Sequence, residues 1–232
     1  QARCGRPNLL TTCRRCGQHP ETLAHIINHC HYHLIRTRHN AILERLIKAI
    51  HPSLGKKFKE QPVPGTTGDN RPDLTILSED GTSCTIVEVS MPFEGSSYDL
   101  AEAYDAKVLK YRPLCEALST RFMSVTFLPF IVGSLGSWFP ANDNTLHQLH
   151  IGSKYSSLMR KLCVASAIEG SQAIWYASMC TRRQPSSHYN STVYSTLLPN
   201  NFITALLLAI TAQKWIQSSP TDVIMCIFSL EP

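Results

Sequence analysis

Asp73 and Glu88 stand fifteen residues apart, each in a short apolar run, RPDLTI and IVEVS. Two carboxylates brought together across neighbouring strands make a hard oxygen site suited to Mg²⁺ or Mn²⁺, where a phosphate can bind and an attacking water can be acidified. Such a site also needs a cationic side chain, to orient or deprotonate the water or to neutralise charge on the phosphorus oxygens. Lys107 and Lys110, three apart in AEAYDAKVLKY, would share one side of a helix and reach the same carboxylate pair, with Tyr111 beside them.

A second chemical set lies near the front of the chain. Cys13 and Cys16 form a C-x2-C pair, followed by His25 and Cys30 at C-x2-C-x8-H-x4-C spacing. Four such ligands can close a tetrahedron around zinc, and a closed site organises structure rather than catalysing. A short predicted helix over 21–30 carries His25 and Cys30, and its last turn must unwind to aim both side chains inward. His19, His29, His31 and His33 could substitute for either of the last two ligands, with His29 the main rival.

The elements that must position these residues follow from pattern. Runs 73–77 (DLTIL) and 84–90 (CTIVEVS) have strand composition and flank an Asp80-Gly81 turn signal, so they should pair antiparallel. Residues 97–119 read as a helix that Pro113 should kink or end. The apolar, β-branched and aromatic run 122–132 reads as a buried strand, with Pro129 near an edge or bulge. Two helices, about 143–150 and 154–179, should follow, the second breaking near Gly170. This order predicts an α/β (α+β) fold: a small zinc-knuckle module before a mixed central sheet flanked by helices.

Charge is uneven along the chain. Residues 1–60 hold 11 Lys/Arg against 3 Asp/Glu, and residues 61–232 hold 11 against 14, so the net charge of +5 comes from the front end. Helix 36–50 would bury Leu43, Leu46, Ile47 and Ile50. Its other face, with Arg36, Arg38, Arg45 and Lys48 continued by Lys56, Lys57 and Lys59, would form a basic stripe suited to phosphates. With charged residues at 17%, the chain is not a highly charged disordered sequence. Nine cysteines, four of them (Cys4, Cys13, Cys16, Cys30) in the first thirty residues, favour metal binding in a reducing compartment over a disulfide scaffold. A chain that begins at Gln1 reads as a piece of a longer polyprotein or a truncated copy. The apolar stretch 202–212 is too short for an ordinary transmembrane span, and no membrane association is expected.

Taken in order, RPDLTI, IVEVSMPFE and AEAYDAKVLKY resemble the restriction-like endonuclease of the PD…(D/E)…K superfamily, in the version at the C-terminus of reverse transcriptases from site-specific retrotransposons lacking long terminal repeats. CRRCGQHPETLAHIINHC is similar to that family's CCHC knuckle, RTRHN to its basic junction and LPFIVGSLGSW to the segment after the helix, covering roughly residues 4–180. The superfamily's usual lysine position, two residues after the strand acid, is Ser90 here; the resemblance implies that the lysine has moved to the helix.

The resemblance implies Asp73 and Glu88 as ligands of Mg²⁺ or Mn²⁺, Lys107 as leading catalytic lysine, Lys110 and Tyr111 as supporting residues, and a structural zinc on the knuckle. It further implies a nuclear protein that nicks double-stranded DNA to prime reverse transcription, with element RNA and a preceding reverse-transcriptase region as partners. The expected organisation is a knuckle (1–35), a basic helix and linker (36–60), a nuclease domain (61–180) and a tail of unassigned role (181–232). A catalytically inactive nucleic-acid-binding module derived from such an element is the alternative.

Overall fold

The computed structural model describes residues 12–64, 66, 70–96 and 98–180. Cys4, the tail 181–232 and its apolar stretch 202–212 therefore lie outside the described residues. Among the described residues eight α-helices and β-strands follow one another: α1 (His33–Ala49), β1 (Lys56–Lys59), β2 (Leu74–Leu77), β3 (Ser83–Ser90), α2 (Asp99–Leu118), β4 (Ser124–Ile131), α3 (Ala141–Gln148) and α4 (Ser153–Cys180). The four strands form one mixed sheet in the order β1-β2-β3-β4.

β2 and β3 are the expected antiparallel pair, in register Leu74↔Val87 to Leu77↔Cys84. Asp80 closes the turn between them by accepting from Ser78 Oγ at 2.6 Å and the Thr82 amide at 3.0 Å. α2 then crosses over to β4, which runs parallel to β3 with Glu88 opposite Pro129. Pro129 is tolerated because β4 is an edge strand among the described residues, where no amide donor is needed for a further strand. β1 was expected to lie within a linker; KKFK instead pairs antiparallel with β2 and forms the other edge.

The alternation of β3 sends its side chains to two separate cores. Cys84 and Ile86 pack with Tyr111, Leu114 and Leu118 of α2, and Val87 and Val89 pack with Leu43 and Leu46 of α1, Leu146 of α3 and Met159 and Cys163 of α4. The sheet is thus covered by α2 on one face and by α1, α3 and α4 on the other. Glu88 has the same parity as Ile86 and so reaches the α2 side.

Neither α2 nor α4 ends at its expected breaking point. α2 continues past Pro113 to Leu118. A mid-helix proline costs about 3 kcal/mol, whereas the buried side chains of Tyr111, Leu114 and Leu118 contribute about 1.5–3 kcal/mol each as an upper estimate. α4 runs unbroken through Gly170. This glycine is a packing position: a Cβ there would lie 2.5 Å from Arg38 Cγ, so its missing side chain admits the Arg38 stem between α1 and α4.

The front module docks on the same body. Ile26 and Ile27 are buried against Ile174 of α4, with Phe93 and Trp175 at the margin. Arg14 pairs with Glu21 at 2.9 Å and donates to the Met179 carbonyl at 3.2 Å. No helix of the described residues is long and apolar enough to cross a membrane.

Candidate functional site

Cys13, Cys16, His25 and Cys30 bring one ligand atom each to within 4.8 Å of one another. Gly17 makes the first half possible. Its φ of +67° bends the chain back so that its amide bonds to the Cys13 carbonyl at 2.8 Å, setting both thiols on one turn. The second half depends on a π-helical turn, His25–His29. In an α-helix, residues five apart point about 140° away from each other. Here the Cys30 amide bonds to the His25 carbonyl at 2.7 Å, a wider turn that brings both side chains to one side.

The donor set fits zinc. A Zn–S distance of about 2.3 Å places two sulfurs on a tetrahedral edge roughly 3.8 Å apart, and Cys13 Sγ and Cys30 Sγ lie 3.9 Å apart. Cys16 Sγ is 3.3 Å from His25 Nε2. Burial, with the His19 and His29 rings nearby, lowers the His25 pKa and keeps the imidazole in its neutral, ligating form. Burial and the neighbouring Cys13 push the Cys30 thiol up to about 12 in the metal-free chain. His29, the rival ligand, is exposed and stands outside the cluster. The described cysteines are all free thiols.

The second site forms where β2, β3, α1 and α2 meet. Asp73 immediately precedes β2 and donates its amide to Glu88 Oε2 at 3.2 Å, while its own Oδ2 accepts from the Val89 amide at 2.8 Å. The two acids are therefore linked through backbone groups of the strand pair that carries them. From α2, Lys107 Nζ lies 2.9 Å from Glu88 Oε1, and Tyr111 donates its hydroxyl to Glu88 Oε2 at 2.8 Å. Lys110 Nζ stands 3.9 Å from Glu88 Oε1 and over the Tyr111 ring, with its side chain more exposed than that of Lys107.

Glu88 is 5% exposed, and all its close partners are donors. Burial, and then the charge of Glu88, push the Tyr111 phenol well above its ordinary pKa, so it remains a hydrogen-bond donor. A cavity of about 220 Å³ opens over the site, lined by Asp73, Glu88, Lys107, His39, Arg38 and Asn28 among others. Asp73 and Glu88 offer only oxygen, the donor chemistry of Mg²⁺ and Mn²⁺. Among the described residues, the Cys/His group alone brings three or more metal-ligating side chains together.

His39 was not singled out from the sequence. Its Nε2 lies 3.1 Å from Asp73 Oδ2 and 3.3 Å from the Val89 carbonyl. The signal available was positional: His39 falls on the inward stripe of α1 with Ile35, Ile42, Leu43 and Leu46, an unusual place for a polar side chain.

The expected basic stripe divides in two. Arg38 is corrected from a phosphate contact to an interior tie: it is 3% exposed and donates to Ser171 Oγ at 2.5 Å and to Asn28 Oδ1 at 3.3 Å. Burial pulls its pKa down to about 10, against the opposing charge of Glu94. Lys57 likewise turns inward and donates to the carbonyls of Ile47 and Ile50, closing the end of α1. Arg45 donates to Ser166 Oγ at 3.0 Å, and Lys59 pairs with Glu44. Lys48, Lys56 and Arg36 face solvent, although Arg36 also meets Glu60 at 3.0 Å.

A scan against models of known families and a search of curated proteins each found no match.

Proposed function

We propose that this chain is a metal-dependent endonuclease that nicks double-stranded DNA, with the restriction-like fold found at the C-terminus of site-specific reverse transcriptases from retrotransposons lacking long terminal repeats. The observation that carries this reading is the convergence on the Glu88 carboxylate of Lys107 and Tyr111 from α2 and of the Asp73 amide from the start of β2, each within hydrogen-bonding distance of it. Asp73 and Glu88 would hold Mg²⁺ or Mn²⁺. When bound, this ion would supply charge to the scissile phosphate and acidify the attacking water.

The protein groups divide the remaining tasks. Tyr111 and the Asp73 amide fix Glu88 Oε2. Lys107, beside Glu88, would orient the water or neutralise the charge that develops on the phosphorus oxygens. The more exposed Lys110 would attract the phosphate backbone. In the reaction the water oxygen bonds to phosphorus, the P–O3′ bond breaks and the 3′ oxygen takes up a proton. The products are a 3′-hydroxyl, the end that primes reverse transcription, and a 5′-phosphate.

The Cys13, Cys16, His25 and Cys30 cluster would carry structural zinc beside this site. Arg36, Lys48 and Lys56 would hold the duplex electrostatically. Element RNA, a preceding reverse-transcriptase region and a nuclear location complete the reading.

A second reading, an inert nucleic-acid-binding module, is favoured by the engagement of both Glu88 oxygens, one by Lys107 and the other by Tyr111. One assay separates the two. Zinc-loaded protein incubated with supercoiled plasmid should produce open circles with added Mg²⁺ or Mn²⁺ and none without it, and D73A should bind DNA but leave it closed. Binding by the unaltered chain without metal-dependent nicking supports the inert module; equal nicking by D73A refutes the site.

A further inference from the structure

Asp73 is held both from within the β2–β3 pair and from outside it. Its Oδ2 accepts from the Val89 amide at 2.8 Å and faces His39 Nε2 at 3.1 Å. The same ring nitrogen faces the Val89 carbonyl at 3.3 Å, and a carbonyl oxygen can only accept. Nε2 therefore carries a hydrogen, shared between the carboxylate and the carbonyl. The other ring nitrogen lies 3.2 Å from Asn40 Oδ1.

The ring is presented by a helix with little freedom. Ile42, Leu43 and Leu46 are fully buried one and two turns on, and the preceding residue, Arg38, is tied to Ser171 and Asn28. Oδ2 of Asp73 thus has two donors from two elements. Oδ1 takes no hydrogen bond among the described residues, and Asp73 lines the cavity shared with Glu88 and Lys107.

We propose that His39 is a positioning residue for the divalent cation: by donating Nε2–H to Asp73 Oδ2, alongside the Val89 amide, it sets the rotation of the carboxylate and leaves Oδ1 as the oxygen offered to the ion. This inference rests on the nuclease reading above. It makes the ion site depend on three chain segments, with α1 acting through Asp73 and not touching the metal. Outer partners of this kind, when removed, typically weaken metal binding or activity about 10–100-fold.

The test measures Mn²⁺ binding to the zinc-loaded full chain by calorimetry, with electron paramagnetic resonance of the bound ion. H39F and H39L remove the donor while filling space, and H39Q restores an N–H. D73A serves as the control that abolishes the site. The expected result is one Mn²⁺ lost in D73A, bound about 10–100-fold more weakly in H39F and H39L, and recovered for the most part in H39Q. The resonance should show no imidazole nitrogen on the manganese.

Wild-type affinity in a folded H39F or H39L, with the ion still lost in D73A, overturns the role of His39 and leaves the nuclease site standing. A manganese-bound imidazole nitrogen overturns it in favour of direct ligation. If both donor-free variants fail to fold, a full loss of affinity in folded H39Q overturns it as well. Indistinguishable Mn²⁺ binding by wild type and D73A removes the underlying reading itself.

Discussion

Lys107 Nζ lies 2.9 Å from Glu88 Oε1, joining a helix residue to a strand residue nineteen positions earlier. The strand position two residues after Glu88 is occupied by Ser90, whose short hydroxyl cannot supply this charge. About one turn beyond Lys107, Tyr111 meets the other oxygen of the same carboxylate. One face of α2 thus provides both a cation and a neutral donor to a single buried acid.

Removing the cation separates chemistry from grip. K107M should reduce single-turnover nicking about 10²–10⁴-fold, the usual contribution of a positioned proton-transfer group, while duplex affinity changes little. K110M, whose ammonium is farther from Glu88, should weaken affinity and its salt dependence more than the rate. A K107M rate equal to wild type at saturating protein would remove Lys107 from the mechanism.

Zinc loading must release thiol protons. Because burial and Cys13 hold the Cys30 thiol up at about 12, the metal-free site keeps its proton throughout the neutral range, and zinc affinity should rise with pH. Competition with a chromophoric chelator between pH 6.5 and 7.5 should show an increase of about tenfold or more per pH unit. Since Ile26 and Ile27 pack on α4, stripping zinc should also lower the melting temperature of the whole body. A pH-independent affinity would contradict the Cys/His assignment.

The hairpin of β2 and β3 and the helix α2 are legible in the sequence because each follows from local pattern, and the lysine spacing offers Lys107 and Lys110 equally to Glu88, with only the family resemblance preferring Lys107. Strand alternation, the Asp80-Gly81 turn and the three-residue spacing of the lysines are short-range signals. β1 is not legible: KKFK has a single apolar residue, and its strand form comes from the free edge of β2. The inward turn of Arg38 is also hidden, because Ser171 and the space over Gly170 lie more than 130 residues away. His39 gives half a signal, a polar residue on a buried stripe, but nothing local names Asp73 as its partner.

Gly170 tests the packing side of this account. Alanine is favoured over glycine in a helix by about 1 kcal/mol, so an unconstrained position would be stabilised. Here the new methyl would sit 2.5 Å from Arg38 Cγ and 2.8 Å from its Cβ, and Arg38 is anchored by hydrogen bonds at its far end. G170A should therefore destabilise the chain by about 1–3 kcal/mol in urea unfolding. A gain in stability would show that α1 and α4 do not approach this closely.

His39 gives stability a pH dependence of defined sign. Burial pulls its pKa down, but the hydrogen bond and charge of Asp73, aided by Asn40 and the Val89 carbonyl, carry it above the ordinary value of 6.5. The stability it lends is complete below pH 6.5 and is lost as pH rises through the raised pKa. Zinc-loaded protein free of other divalent ions should lose melting temperature from pH 6.5 upward, and H39Q should lose less over the same range. Parallel curves would mean that the ring does not titrate against Asp73.

In the proposed phosphodiester hydrolysis Glu88 works as an anion, and E88Q tests that role with little change in shape. With protein in excess over a labelled duplex and binding saturated in both forms, the rate of Mg²⁺-dependent nicking by E88Q should fall about a thousandfold or more, equivalent to about 4 kcal/mol of barrier. A rate unchanged from wild type would contradict the account, because Glu88 would then hold no ion that the reaction needs.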